Sequence, residues 1–109
     1  SNWNVSNVIS MDKIFYNAKN FNGDLSKRDF SNVTSMNGMF YNAENFNGDL
    51  SKWSIFNVRM MSGMFYDAQE FNVNLSSWNI NFSTNYMLEG AINYKFNKPS
   101  SLLHTKYLL

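Results

Sequence analysis

Residues 31–52 read SNVTSMNGMFYNAENFNGDLSK, and the organisation of the whole chain follows from the fact that this string occurs three times. It appears first as SNVISMDKIFYNAKNFNGDLSK from Ser6 and last as FNVRMMSGMFYDAQEFNVNLSS from Phe56, each copy displaced by 25 positions. A fixed period between roughly 20 and 50 residues signals a repeat architecture, in which one unit cannot bury its apolar face alone and neighbours complete the core. Several columns hold one residue type throughout. They run Asn7, Asn32, Asn57; Val8, Val33, Val58; Met11, Met36, Met61; Phe15, Phe40, Phe65; Ala18, Ala43, Ala68; Phe21, Phe46, Phe71; and Leu25, Leu50, Leu75. The units span about 3–27, 28–52 and 53–77, followed by a degenerate fourth over 78–101 and a tail at 102–109. In a strict 25-residue register Phe96 and Asn97 stay in phase, while Gly90 falls on the phenylalanine position and Asn93 on the alanine position. Because Ser1-Asn2-Trp3 matches Ser51-Lys52-Trp53 and Ser76-Ser77-Trp78, the chain starts in mid-repeat and reads as a piece of a longer array.

Within a unit, the spacing predicts a helix followed by a strand. Val8, Met11, Ile14, Phe15 and Ala18 fall three, three, one and three apart, as on one face of a helix, with Ser6 or Asn7 placed to cap its first turn. In FNGDLS, Phe21, Gly23 and Leu25 alternate with Asn22, Asp24 and Ser26, the period of a short strand. The expectation is therefore an α/β repeat solenoid: a leucine-rich-repeat-like stack of 25-residue helix-strand units with a short parallel sheet.

The strings SNVTSMNGMFYNAENFNGDLSKW and FNVRMMSGMFYDAQEFNVNLSSWN resemble the BspA-like leucine-rich-repeat surface proteins, also catalogued as a mycoplasma-type repeat of unknown function with the pattern W-(D/N)-V-S-N-V-T-x-M-x-x-M-F. The resemblance covers about Trp3 to Asn79. It departs from the pattern at Arg28 in a tryptophan position, at Phe56 in a serine position and after Asn81. It implies an array carried on lipoproteins and wall-attached proteins, a cell-surface or extracellular location, and a role in adhesion. It brings no catalytic residues.

Composition excludes several other classes. With 44% hydrophobic and 17% aromatic residues, the 109-residue chain has the apolar content a disordered tail lacks. A net charge of +1 and a pI near 7.9 give no field that would draw it to nucleic acid. Cysteine is absent, so disulfides, thiolate metal sites and a lipid-bearing cysteine are absent from this segment. No run of about 18 apolar residues spans a bilayer, and no targeting signal opens the segment.

Candidate surfaces come from the columns. Asn22, Asn47 and Asn72 form one, Asp24, Asp49 and Asn74 another, and Ser26, Ser51 and Ser76 a third. Stacked amides can hydrogen-bond along such a column, and the paired carboxylates make a weak calcium site conceivable beside Lys27 and Lys52. Trp3, Trp53 and Trp78 share a column with Arg28 in the gap, either as a packing spine or as a row of exposed aromatics that grips a glycan or peptide. Tyr16, Tyr41 and Tyr66 follow the buried phenylalanines and read mainly as packing. His104 stands alone, without a nucleophile or carboxylate in any known arrangement, and no phosphate loop, zinc spacing or dinucleotide fingerprint is present. The sequons at Asn4, Asn32 and Asn81 are unremarkable in so asparagine-rich a chain. The expected function is thus a non-enzymatic module for protein or cell-surface recognition, without catalytic, cofactor or metal residues, binding a protein or glycan partner. The rival is a structural spacer that carries a distal domain and has no ligand of its own.

Overall fold

The computed structural model describes residues 7–80, 82 and 84–96. Trp3, the sequons at Asn4 and Asn81, Asn97 and His104 lie outside them. The α/β helix-strand solenoid expected above is not what these residues form. Among them there is no helix, and the only strand-like pairings are two parallel bridges, Ser10 to Ser35 and Ser35 to Met60. The bridges lie at the start of each unit, not in the FNGDLS segments where the sheet was expected. The radius of gyration is 12.9 Å, the size of a compact globule of this length, which is about 13 Å.

What the units contain is tight turns. From the second unit into the third, backbone N–H groups reach back three residues from Met39 to Met36, Tyr41 to Gly38, Ala43 to Phe40, Phe46 to Ala43, Trp53 to Leu50 and Val58 to Ile55. The residues that open and close most of these turns point inward. Met36, Met39, Phe40, Ala43, Phe46, Leu50, Trp53, Ile55 and Val58 are all buried. A chain of turns therefore brings every third or fourth residue to one side, and this is the spacing that a helix also produces.

Backbone sign decides between the two. Positive φ recurs at residues four apart: Lys13 and Asn17, Gly38 and Asn42, Gly63 and Asp67, then Tyr86 and Gly90. A right-handed helix cannot continue through such residues, and glycine, asparagine and aspartate adopt this conformation most readily. The Gly38–Asn42 and Gly63–Asp67 pairs are the sequence trace of this geometry.

Neighbouring units are joined through alternate N–H groups of the same segment. Lys13, Phe15 and Asn17 donate to the carbonyls of Asn37, Met39 and Tyr41 at 2.8–2.9 Å, while Ile14, Tyr16 and Ala18 close turns within their own unit. Gly38, Phe40 and Asn42 do the same toward Ser62, Met64 and Tyr66. Every N–H from Lys13 to Ala18 thus has a backbone partner without helix or sheet.

The fourth unit keeps this bonding in a shifted register. Phe40 N–H donates to Met64, 24 residues on, whereas Phe65 N–H donates to Met87, 22 residues on. The unit is therefore two residues shorter between Ile80 and Thr84 than the strict period assumes. Leu88, not Gly90, takes the place of Phe65, and Ala91, not Asn93, that of Ala68. Tyr94, not Phe96, follows Phe71, with its ring stacked at 6.0 Å.

The core is a double file of phenylalanine rings. Phe15, Phe40 and Phe65 stack at 5.4 and 5.6 Å, Phe21, Phe46 and Phe71 at 5.7 and 6.1 Å, and the files touch within each unit at 4.0–4.1 Å. Such offset-stacked pairs add about 0.5–1.5 kcal/mol each beyond area burial. Gly23 and Gly48 make room for the second file, since a Cβ on either would stand 2.8 Å from the ring two residues earlier. Among the described residues no helix is long and apolar enough to cross a membrane.

Candidate functional site

The columns singled out in the sequence divide into those the fold uses internally and those it leaves open. Trp53 and Trp78 belong to the first kind. Both are buried, and their Nε1–H groups donate to the carbonyls of Leu25 at 3.1 Å and Leu50 at 3.3 Å, each 28 residues earlier. The ring against Trp53 is that of Phe30, at 4.0 Å between centroids. These indoles pin one unit to the next and present no row of faces to a ligand. Arg28 is half-buried, and its N–H closes a turn onto Leu25.

The asparagine column is also structural, in a different manner from an amide-to-amide ladder. Asn22 Oδ1 accepts the backbone N–H of Asn47 at 2.9 Å, Asn47 Oδ1 that of Asn72 at 2.7 Å, and Asn72 Oδ1 that of Lys95 at 2.8 Å. Side-chain oxygens do here what a sheet carbonyl would have done, so the FNGDLS segments stack without a β-ladder. A second such column went unread in the sequence. Asp12 accepts from the Asn37 N–H at 2.7 Å, and Asn37 accepts from the Ser62 N–H at 2.8 Å. Direct amide pairs occur elsewhere, from Asn42 to Asn17 and from Asn45 to Asn20.

Asp24, Asp49 and Asn74 are exposed and bond within their own units. Asp24 Oδ1 accepts from both the N–H and the hydroxyl of Ser26, at 2.9 and 2.6 Å, and Asp49 from those of Ser51, at 3.0 and 2.7 Å. Asn74 accepts the Ser76 N–H at 2.9 Å. The serine hydroxyl bond, followed by the backbone bond, holds both carboxyls below their ordinary value, with Lys27 and Lys52 adding to the effect. The serines serve these local turns. Among the described residues no group of three or more His, Cys, Asp or Glu side chains is placed to hold a metal ion.

The tyrosine column is the one left open. Tyr16, Tyr41 and Tyr66 stack at 4.7 Å with their planes within 13° of parallel. They line a groove of about 470 Å³, together with Lys13 at one end and Tyr86 and Glu89 at the other. Gly38 and Gly63 form its floor. Each has positive φ, and the Tyr16 and Tyr41 rings lie over them, 3.8 and 3.6 Å from where a Cβ would stand. The fourth unit inverts the pair: in its shifted register Tyr86 replaces the glycine and Glu89 the tyrosine, and this closes the groove. Tyr86 is 67% exposed. Desolvation first, then the neighbouring Tyr16 and Tyr66, push the Tyr41 phenol above its ordinary value, so it stays a neutral hydrogen-bond donor at neutral pH. Lys13 Nζ sits 5.5 Å from the Tyr16 ring centre, over its outer face. Recurrence of tyrosine every 25 residues was visible in the sequence. Its outward direction was not, because it depends on the positive-φ residue on either side.

Comparison with known proteins places this geometry in a family without assigning it a task. No curated protein and no solved structure matches the chain. No match supports the kinship with BspA-like leucine-rich repeats expected from the sequence. Residues 1–102 match the family described as Mycoplasma protein of unknown function, DUF285. With nearly its whole length matched, the chain belongs to that family.

Proposed function

We propose that the chain is a non-enzymatic recognition module, displayed at a cell surface, that engages a protein or glycan partner along the Tyr16–Tyr41–Tyr66 groove. The observation that carries this reading is the open file of stacked phenols at 4.7 Å. Tyrosine gives a large contact area with few rotatable bonds, and rings already ordered by stacking lose little further entropy on binding. The groove also carries opposite charges, Lys13 at one end and Glu89 at the other, which would orient an asymmetric partner. A non-catalytic role is supported by the carboxylates. Asp24, Asp29 and Asp49 are held as hydrogen-bond acceptors with lowered pKa, whereas a general acid needs a raised one.

The test is a screen of the purified chain on glycan arrays and panels of purified host-surface proteins, repeated with the triple variant Tyr16→Phe, Tyr41→Phe, Tyr66→Phe and with Tyr86→Ser. The phenylalanine variant keeps the stack and removes the hydroxyls. A partner that binds the parent and loses about tenfold or more affinity to either variant, at unchanged melting temperature, supports the groove. A chain that binds nothing in the screen is a spacer, and a partner indifferent to both variants binds elsewhere.

A further inference from the structure

Repeated positions report what stacking requires, so positions where one unit departs from the others carry different information. Two departures of the third unit meet in one cavity. Phe56 stands where the other units have Ser6 and Ser31, and Arg59 where they have Ile9 and Thr34. With Lys52, Trp53, Trp78 and Asn79 they line a cavity of about 340 Å³ between the third and fourth units, which shares no residue with the tyrosine groove. Phe56 is 82% exposed, the most exposed large apolar side chain among the described residues. No acidic residue lines the cavity, although two cations do.

The Arg59 guanidinium is already fixed. Its Nη1 donates to the carbonyls of Phe56 at 2.8 Å and Val58 at 2.9 Å. Its Nε–H and Nη2–H groups make no hydrogen bond among the described residues, and neither does the Lys52 ammonium. A guanidinium anchored through one nitrogen, with its other donors open, is set to take a carboxylate. A bare phenyl ring beside it offers apolar contact that a serine at that position would not.

From this we infer that the cavity is a second binding site, for a partner segment that carries a carboxylate next to a bulky apolar side chain. The carboxylate pairs with Arg59 and Lys52, and the apolar group covers Phe56 and enters the space between the third and fourth units. The volume is at the lower end of ligand-binding pockets, enough for one side chain and its acidic neighbour. Charge complementarity favours this chemistry over a neutral or basic segment, since Arg59 and Lys52 line the cavity and no acidic residue does.

Titration of the ¹⁵N-labelled chain with the peptide acetyl-Glu-Phe-Glu-amide tests the site, read at the indole Nε1–H signals of Trp53 and Trp78 and the Nε–H signal of Arg59. Saturable shifts are expected, with affinity falling as salt rises. Acetyl-Gln-Phe-Gln-amide should bind about tenfold more weakly, and Arg59→Gln should weaken the acidic peptide by a similar factor. Phe56→Ser, which restores the residue of the other units, should weaken both peptides. If Arg59→Gln lowers the melting temperature, Lys52→Gln provides the same charge test on a side chain without backbone bonds. Tyr41→Phe should leave the titration unchanged, so this site and the tyrosine groove stand or fall separately. Absence of saturable shifts, equal binding of the two peptides, or indifference to both charge variants would overturn the inference.

Discussion

The second unit has a described neighbour on each side and the fourth has one, and the same columns are buried unequally in the two. Met39 and Phe40 have no exposed surface, with Phe40 between the rings of Phe15 and Phe65. In the fourth unit Leu88 and Tyr94 occupy the two phenylalanine files and are only partly buried, and Tyr94 turns its hydroxyl to the Leu75 N–H at 3.3 Å. Thr84 falls in the column of Met11, Met36 and Met61, and its buried hydroxyl has no hydrogen-bond partner among the described residues. The first unit shows the same contrast. Ile14 is 46% exposed, and the residue one unit on, Met39, is fully covered. Burial here is conferred by the neighbouring unit rather than by the residue type, so equal sequences contribute unequal stability according to their place in the stack.

The largest test of that contrast is Phe40→Ala against Tyr94→Ala. Removing Phe40 leaves a hole flanked on both sides and should cost about 3–5 kcal/mol, a large share of the total stability of so short a chain. Tyr94→Ala should cost clearly less, because its ring is only partly buried. Denaturant titration of both variants decides the matter; equal losses would mean that burial does not follow stacking order.

A second pair of variants tests turns against helix. Gly63 adopts positive φ, and a Cβ there would make only an ordinary contact with the Tyr41 ring at 3.6 Å, so Gly63→Ala adds backbone strain without a clash and should destabilise by about 1–2 kcal/mol. Lys13 carries the same strain in the first unit, and Lys13→Gly should stabilise by roughly 0.5–1 kcal/mol. In a helix both signs would reverse, because glycine costs about 1 kcal/mol there relative to alanine. A lower melting temperature for Lys13→Gly would restore the helical reading.

Thr84→Val is a smaller, stabilising change. It keeps the shape and removes a buried hydroxyl that has no hydrogen-bond partner among the described residues, and should raise stability by about 1 kcal/mol. A lower melting temperature would show that the hydroxyl is satisfied, by a bound water for instance.

The smallest effect concerns pH. Serine bonds hold Asp24, Asp29 and Asp49 below the ordinary carboxylate value of about 3.9. A carboxyl whose folded pKa is depressed contributes stability that is present above its unfolded pKa and lost as pH falls through the folded value. The melting temperature should therefore decline gently below about pH 4. Asn74 makes the same backbone bond to Ser76 without a charge, so Asp24→Asn with Asp49→Asn should keep the turns and flatten that decline. A decline of equal steepness in the double variant would place the acid sensitivity elsewhere.

The sequence by itself determined the period of 25 and nearly every inward position. The columns of Val33, Met36, Phe40, Ala43, Phe46 and Leu50 are all buried, and Asn22, Asp24 and Ser26 do alternate outward from Phe21 and Leu25. These are one-dimensional facts, since any unit that stacks on its own copies must repeat its apolar set. Tertiary structure decided what the backbone between those positions does. Turns and a helix both return every third or fourth residue to one side, and the choice rests on positive φ at Lys13, Asn17 and their successors, where every second N–H reaches across to the next unit. The inward turn of Trp53 and Trp78, the outward turn of Tyr16, Tyr41 and Tyr66, and the two-residue shift of the fourth unit all follow from those crossings. Their partners lie 22 to 28 residues away, and no local propensity encodes a bond of that span.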